Sequence, residues 1–277
     1  MRVAVIGVGL IGGSIAAAAR ERLGAFVSGV DLDMAALEVA LARGLIDRGC
    51  GTVREALEGA EAAFVAVPVG AVVATVEVVL DAADAECVVT DVGSTKRAVV
   101  AAFNDPRFAG GHPLAGIERS GAGYARADLF EGATWYLTPT QRTAPELYER
   151  LRGLIARIGA RPEAIDPEDH DRLVATISHL PHVLANALVS EAAAAARHLP
   201  HFAGPSLRDA IRVAGAPSAI WTDIYLENGD LLALAIERTI AHLEEFRQAL
   251  AASDAALITA LNEAAAAARR DLLGAAS

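Results

Sequence analysis

At 277 residues with 35 acidic against 24 basic side chains, the chain carries a formal charge of −11, which leaves no basic surface to displace counterions and excludes non-specific nucleic-acid binding. The length suits two domains rather than one. Two distant cysteines, Cys50 and Cys87, and no export signal predict free thiols in a cytoplasmic setting, and no apolar run reaches the roughly 18 to 20 uncharged residues of a membrane span.

The first strand, Val3 to Ile6, runs directly into Gly7, Gly9 and Gly12, a G-x-G-x-x-G spacing that opens a helix. Gly7 permits the tight turn, Gly9 lets backbone approach a pyrophosphate, and Gly12 allows close helix–sheet packing. With Leu10 and Ile11 between the glycines, the pyrophosphate is expected at the helix N-terminus, where unpaired N–H groups and the dipole favour negative charge. The second strand, Phe26 to Val30, is followed by Asp31, nineteen residues after Gly12, in place to accept hydrogen bonds from ribose hydroxyls. A phosphate on that ribose would be repelled, and Leu32 offers no arginine to offset it. The expected cofactor is therefore NAD rather than NADP.

A strand from Ala62 to Val67 ends at Pro68, followed by a helix from Ala71 to Ala83 and a strand from Cys87 to Thr90. Short strands at Phe108 to Gly110 and Thr134 to Leu137, a helix from Glu146 to Ile158 and a strand at Arg161 complete the alternation. This order predicts an α/β, Rossmann-type domain over 1–165, built on one open, mainly parallel sheet. Ligands bind outside the carboxyl ends of such strands, so Gly7 to Gly12, Asp31, Val67, Pro68 and Asp91 to Lys96 are expected to share a crevice. From Asp166 only helical periodicity remains, over 167–197, 206–214, 217–227, 230–250 and 254–272. That much apolar helix predicts an all-α second domain, 166–277, that also makes a subunit interface. Pro162 and Pro167 mark the junction.

Four polar clusters carry candidate chemistry. Asp91-Val92-Gly93-Ser94-Thr95-Lys96 follows a strand end; Ser94 or Thr95 can be a simple helix cap, and a cap can still present its hydroxyl to a ligand. His112 sits among so many glycines, from Gly110 to Gly121, that a ligand-approach loop is expected rather than a core position. A neutral imidazole there could take a hydroxyl proton while hydride leaves the same carbon, although a satisfied structural histidine remains the alternative. His179 and His182, three apart, could in principle hold a metal; no cysteine completes the site and Pro181 disturbs the helix, so no metal is expected. Substrate contact for one and packing for the other is preferred. Arg208 and Arg212 share a helix face, and either could grip a carboxylate bidentately or form a surface ion pair. Trp221 could wall a pocket or fill core.

Together GVGLIGGS, DVGSTK, GGHPLAGIERSG, SHLPH and LRDAIRVA with its later W-x-D-I-Y-L-E-N resemble the prephenate and arogenate dehydrogenase family of tyrosine biosynthesis. The resemblance implies oxidative decarboxylation of prephenate to 4-hydroxyphenylpyruvate, CO2 and NADH, or of arogenate to tyrosine. It implies His112 as the catalytic base, Ser94 as the group orienting the ring hydroxyl, and Arg212 as the carboxylate-binding arginine with Asp209 in support. It further assigns His182 to the substrate side chain, His179 as its structural neighbour, Trp221 to the pocket wall, Glu118 to a gate, and homodimerisation to the helical domain. Ile117 stands where many relatives carry threonine, and the chain ends near its last helix, so tyrosine feedback would act near the active site. β-Hydroxyacid dehydrogenases are a competing reading, but they use a lysine in the helical domain and Asp166 to Ala214 contains none. A non-catalytic NAD sensor would leave His112, Ser94 and Arg212 without a task.

Overall fold

The computed structural model describes residues 1–117, 119–195 and 204–274. The alternation at the N-terminus resolves into β1 (Arg2–Ile6), α1 (Leu10–Leu23), β2 (Phe26–Val30), α2 (Met34–Ala42), β3 (Arg48–Gly49), α3 (Val53–Ala56), β4 (Ala62–Val65), α4 (Val72–Ala82), β5 (Val88–Asp91) and α5 (Arg97–Ala102). The five strands form one parallel sheet in the order β3-β2-β1-β4-β5. Successive side chains point to opposite faces, and the sequence uses both. Val3, Val5, Phe64 and Val88 enter the core under α1, whereas Ala4, Ile6, Val65 and Val89 enter a second core under α3 and α4. A sheet buried on both faces reads as unbroken apolar runs rather than as alternation.

The later strands do not extend that sheet, as the single-sheet expectation required. β6 (Gly110–Pro113), β7 (Thr134–Thr138) and β8 (Arg161–Ala164) form a separate three-stranded sheet, with β6 antiparallel and β8 parallel to β7, and α6 (Pro145–Arg157) lies between β7 and β8 in sequence. The strand expected at Phe108 to Gly110 begins at Gly110 instead, and Phe108 makes only an isolated bridge to Val89 of β5. His112 is therefore a strand residue opposite Tyr136, not a loop residue. The reason lies in Gly111: a Cβ there would stand 2.7 Å from both the Asp91 carbonyl and the Thr90 hydroxyl. The glycines before His112 serve close packing of β6 on β5 rather than mobility.

Among the described residues helices follow to Gly274: α7 (Pro167–Val174), a π turn (Ala175–His179), α8 (Leu180–Ala195), α9 (Pro205–Ile211), a 3-10 turn (Arg212–Gly215), α10 (Ser218–Glu227), α11 (Gly229–Ala251) and α12 (Ala255–Gly274). The N-terminal parallel sheet and C-terminal helices thus follow the expected fold class. Met1–Gly229 is one compact unit that holds α7 to α10 together with both sheets; Asp230–Ser277 is a second unit. In the second, Ser253 takes a left-handed φ of 53° and the Asp254 carboxylate caps α12 at the Leu257 N–H. By length and composition Pro167–Ala195 is long and apolar enough to cross a membrane, which amends the expectation that no run is. Its inner face, however, buries His170, Asp171, His179 and His182.

Candidate active site

Two adjoining cavities lie at the carboxyl ends of the parallel strands. The first, about 380 Å³, is lined by Gly9, Leu10, Ile11, Val67, Pro68, Val92, Gly93 and Ser94 among others. Gly7 turns the chain with φ +93°, and a Cβ on Gly12 would lie 1.8 Å from the Gly7 carbonyl. Among the described residues the space around Gly9 is open, and α1 has no side-chain cap on its first N–H groups. Asp31, half-buried, accepts from the Val8 N–H through Oδ2 at 2.8 Å and from the Asp33 N–H through Oδ1 at 2.9 Å. An uncapped helix start, an open backbone cradle and an aligned carboxylate fit a dinucleotide. Expected companions Gly7 to Gly12, Val67 and Pro68 are thus together.

The second cavity, about 430 Å³, is lined by Ser94, His112, Pro113, Leu114, Ala115, Gly116, Ile177, Ser178, His179, Trp221 and Ile224. Ser94, Ala115, Gly116 and Trp221 line both, so the cavity walled by His112 and the one at the glycine turn meet at these residues. Neither Ser94 nor Thr95 caps α5. That task falls to Asp171 of α7, whose carboxylate accepts the N–H groups of Lys96 at 2.7 Å and Arg97 at 3.0 Å. Thr95 instead donates to Glu227 at 2.7 Å.

Behind the cavity wall lies a polar chain that the sequence reading passed over. His112 Nδ1 is 2.9 Å from His170 Nε2, and His170 Nδ1 is 2.8 Å from Asp171 Oδ1. Arg97 Nε donates to Asp171 Oδ2 at 3.3 Å, and Asn228 bonds to the Asp171 carbonyl at 2.8 Å. Beside it Lys96, the chain's single lysine, forms a fully buried ion pair with Asp91. Asp91 also accepts from Gly93 and Gly111 N–H groups. Asp91, expected on the cofactor side, consequently faces inward: its oxygens are consumed by the lysine and by backbone donors. The signal for His170 was its place after the Pro167 helix start, but an isolated His-Asp dipeptide has no periodicity to distinguish it.

Burial drives the electrostatics here. It holds His112 well below the ordinary imidazole value, reinforced by His170, Lys96 and His179. His179 is lowered to about 4, chiefly by burial, and burial also lowers His182. Burial opposes ionisation of Asp171, but bonds from His170 and from the Arg97 and Lys96 N–H groups outweigh it and hold the carboxyl below its usual range. Neutral imidazoles and an ionised Asp171 follow near neutral pH. The arrangement can accept a proton from a hydroxyl presented at the cavity wall.

His179, rather than His182, lines the cavity, with its Nε2 buried and without a partner among the described residues, while Asn228 approaches Nδ1 at 3.3 Å. His182 stacks on Trp221 with ring centres 3.8 Å apart and bonds to the Tyr225 hydroxyl. Arg212 and Asp209 are exposed and line neither cavity; α9 and its following turn pack on α8. Glu118 lies outside the described residues; its neighbours Ile117 and Arg119 line the dinucleotide cavity.

Residues 15–164 match the prephenate dehydrogenase nucleotide-binding domain, and residues 166–263 match the prephenate dehydrogenase dimerization domain. The chain is 33% identical over 259 residues to prephenate dehydrogenase of Bacillus subtilis (strain 168), covering 90% of this chain and 70% of that one. Among solved structures, prephenate dehydrogenase from A. aeolicus in complex with hydroxyphenyl propionate and NAD+ matches with a TM-score of 0.88 at 28% identity over 98% of both chains. Arogenate dehydrogenase of Synechocystis matches with a TM-score of 0.83 at 29% identity, over 98% of this chain and 100% of that one.

Proposed function

Because the chain belongs to the prephenate dehydrogenase family, we propose that it carries out the NAD-dependent oxidative decarboxylation of prephenate to 4-hydroxyphenylpyruvate. The observation that carries this reading is the meeting at Ser94 of a dinucleotide cradle and a cavity walled by a neutral histidine. When bound, NAD supplies the acceptor for the hydride that leaves the hydroxyl-bearing ring carbon. His112 takes the hydroxyl proton, and the Ser94 side chain orients that hydroxyl toward it. The resulting ring carbonyl is an electron sink for the departing carboxylate, and aromatisation drives loss of CO2. Holding the donor carbon and the base in one geometry supplies several kcal/mol of barrier reduction.

Asp31 supports NAD over NADP, because its carboxylate, fixed by two backbone N–H groups just after β2, would repel a phosphate on the ribose. By their sequence match, Arg212 is assigned to a substrate carboxylate, with Asp209 in support, and His182 and Glu118 to the substrate side. His179 and Trp221 have the added support of lining the cavity. Residues 1–165 serve as the dinucleotide domain and 166–277 as the substrate-binding and dimerising helices. Exposed Leu234, Ile240, Leu243 and Leu250 on α11 support the second of those roles.

Likeness to the Synechocystis arogenate dehydrogenase favours a second reading, arogenate to tyrosine by the same steps. The two substrates differ only by a keto or amino group on the side chain. Purified protein with NAD and each substrate is expected to yield NADH and CO2 in equal amounts from at least one. Their kcat/KM ratio assigns the preference, and no NADH from either overturns the reading.

A further inference from the structure

The reaction proposed above neither releases nor consumes a net proton: the proton removed from the ring hydroxyl must return to the phenol oxygen after CO2 departs. A group that holds it in the interval is therefore required. The buried chain behind His112 has the chemistry for this. Asp171 accepts at both oxygens from N–H donors, so the His170 nitrogen 2.8 Å away, Nδ1, carries a hydrogen. With its hydrogen on Nδ1, His170 presents a lone pair at Nε2, and His112 Nδ1, 2.9 Å away, donates to it.

We propose that His170, oriented by Asp171, is a positioning residue that keeps His112 in its Nδ1–H tautomer and takes up that hydrogen while His112 holds the substrate proton on Nε2. In the forward step the substrate O–H bond breaks and His112 Nε2–H forms; the His112 Nδ1–H bond breaks and His170 Nε2–H forms. The positive charge then lies beside the Asp171 carboxylate, one ring further from the reacting carbon. When the ring becomes aromatic, the phenolate oxygen takes the proton from His112 Nε2, and His170 returns its own to His112 Nδ1. Every proton is restored and none crosses the cavity to water.

The tautomer is read directly from two-bond 1H–15N correlations of 15N-histidine-labelled full-length protein without substrate, with the His112 signals assigned by their loss in His112→Asn. His112 is expected protonated on Nδ1; protonation on Nε2 overturns the inference. His170→Leu removes the acceptor. Its kcat with prephenate, or with arogenate if that is the substrate, is expected to fall about 100-fold, with KM values for substrate and NAD within about threefold. His170→Gln supplies an amide carbonyl to His112 Nδ1 and an N–H to Asp171 but cannot carry the proton. It is expected to retain the Nδ1–H tautomer while staying at least tenfold slower than wild type. Wild-type kcat in a folded His170→Gln overturns the storage role, and the correlation in unmodified protein decides the tautomer even where His170→Leu fails to fold. The inference rests on the proposed reaction, yet the two fail separately, because the tautomer is measured without turnover and the turnover assay does not depend on the tautomer.

Discussion

At His112 a single imidazole must be neutral before it can work. Burial first, then His170, Lys96 and His179, disfavour its charged form, so the folded-state value lies well below 6.5. The fraction able to accept a proton therefore stays high as pH falls through 6.5, and kcat/KM is expected to remain level there and decline only in more acidic solution. A pH–rate profile with NAD saturating checks this; an acid limb centred at 6.5 or above contradicts it. His112 and Ser94 were legible as cavity residues from their motifs, although the glycines before His112 serve packing and not the loop they suggested. His170 and Asp171 could not, since their partners His112 and Lys96 lie 58 and 75 residues away in the chain. That His179 lines the cavity while His182 stacks on Trp221 was equally hidden, since a spacing of three residues does not rank the two histidines.

Among elements, β6 is the one whose packing most directly sets the site. Its backbone is pressed against the end of β5, so Gly111→Ala places a methyl 2.7 Å from the Asp91 carbonyl and 3.0 Å from Trp135 Nε1. Overpacking of this kind costs about 1–3 kcal/mol, and relief by backbone shift moves His112, one residue on. Urea denaturation is expected to register the loss, with a fall in kcat larger than the change in NAD affinity; an unchanged midpoint and kcat would refute the packing argument. Long elements such as β1, α4, α6, α11 and α12 were legible because apolar periodicity persists over several turns or fills a whole strand. The two-residue β3 and four-residue α3 are too short to carry a period. The division into two sheets was illegible for another reason: strand order depends on whether β6 runs with or against β7, and side-chain pattern is identical for either direction.

For the molecule as a whole, buried neutral histidines link stability to pH. His179 titrates near 6.5 when unfolded and at about 4 when folded, so the unfolded chain binds its proton first as pH falls. Stability from this group is complete above 6.5 and drains between 6.5 and 4, amounting to roughly 3 kcal/mol at the acid end. Urea unfolding from pH 7 to pH 4 is expected to show wild type losing about that much more than His179→Gln; parallel profiles would remove His179 from the account. At this scale the sequence order already implied strands followed by helices. It did not imply that Met1–Gly229 forms one compact unit, because the bonds uniting α5 with α7 and α10 are single polar contacts such as Arg97 to Asn228 at 3.1 Å.

Lys96 is the chain's one lysine, and none of its side chain reaches solvent. Amine-directed reagents therefore meet a folded surface on which the terminal α-amine alone can react, and acylation of Lys96 requires its buried pair with Asp91 to open. Under native conditions the rate of that acylation becomes a clock for local opening at the wall of the active site, free of background from any other side chain.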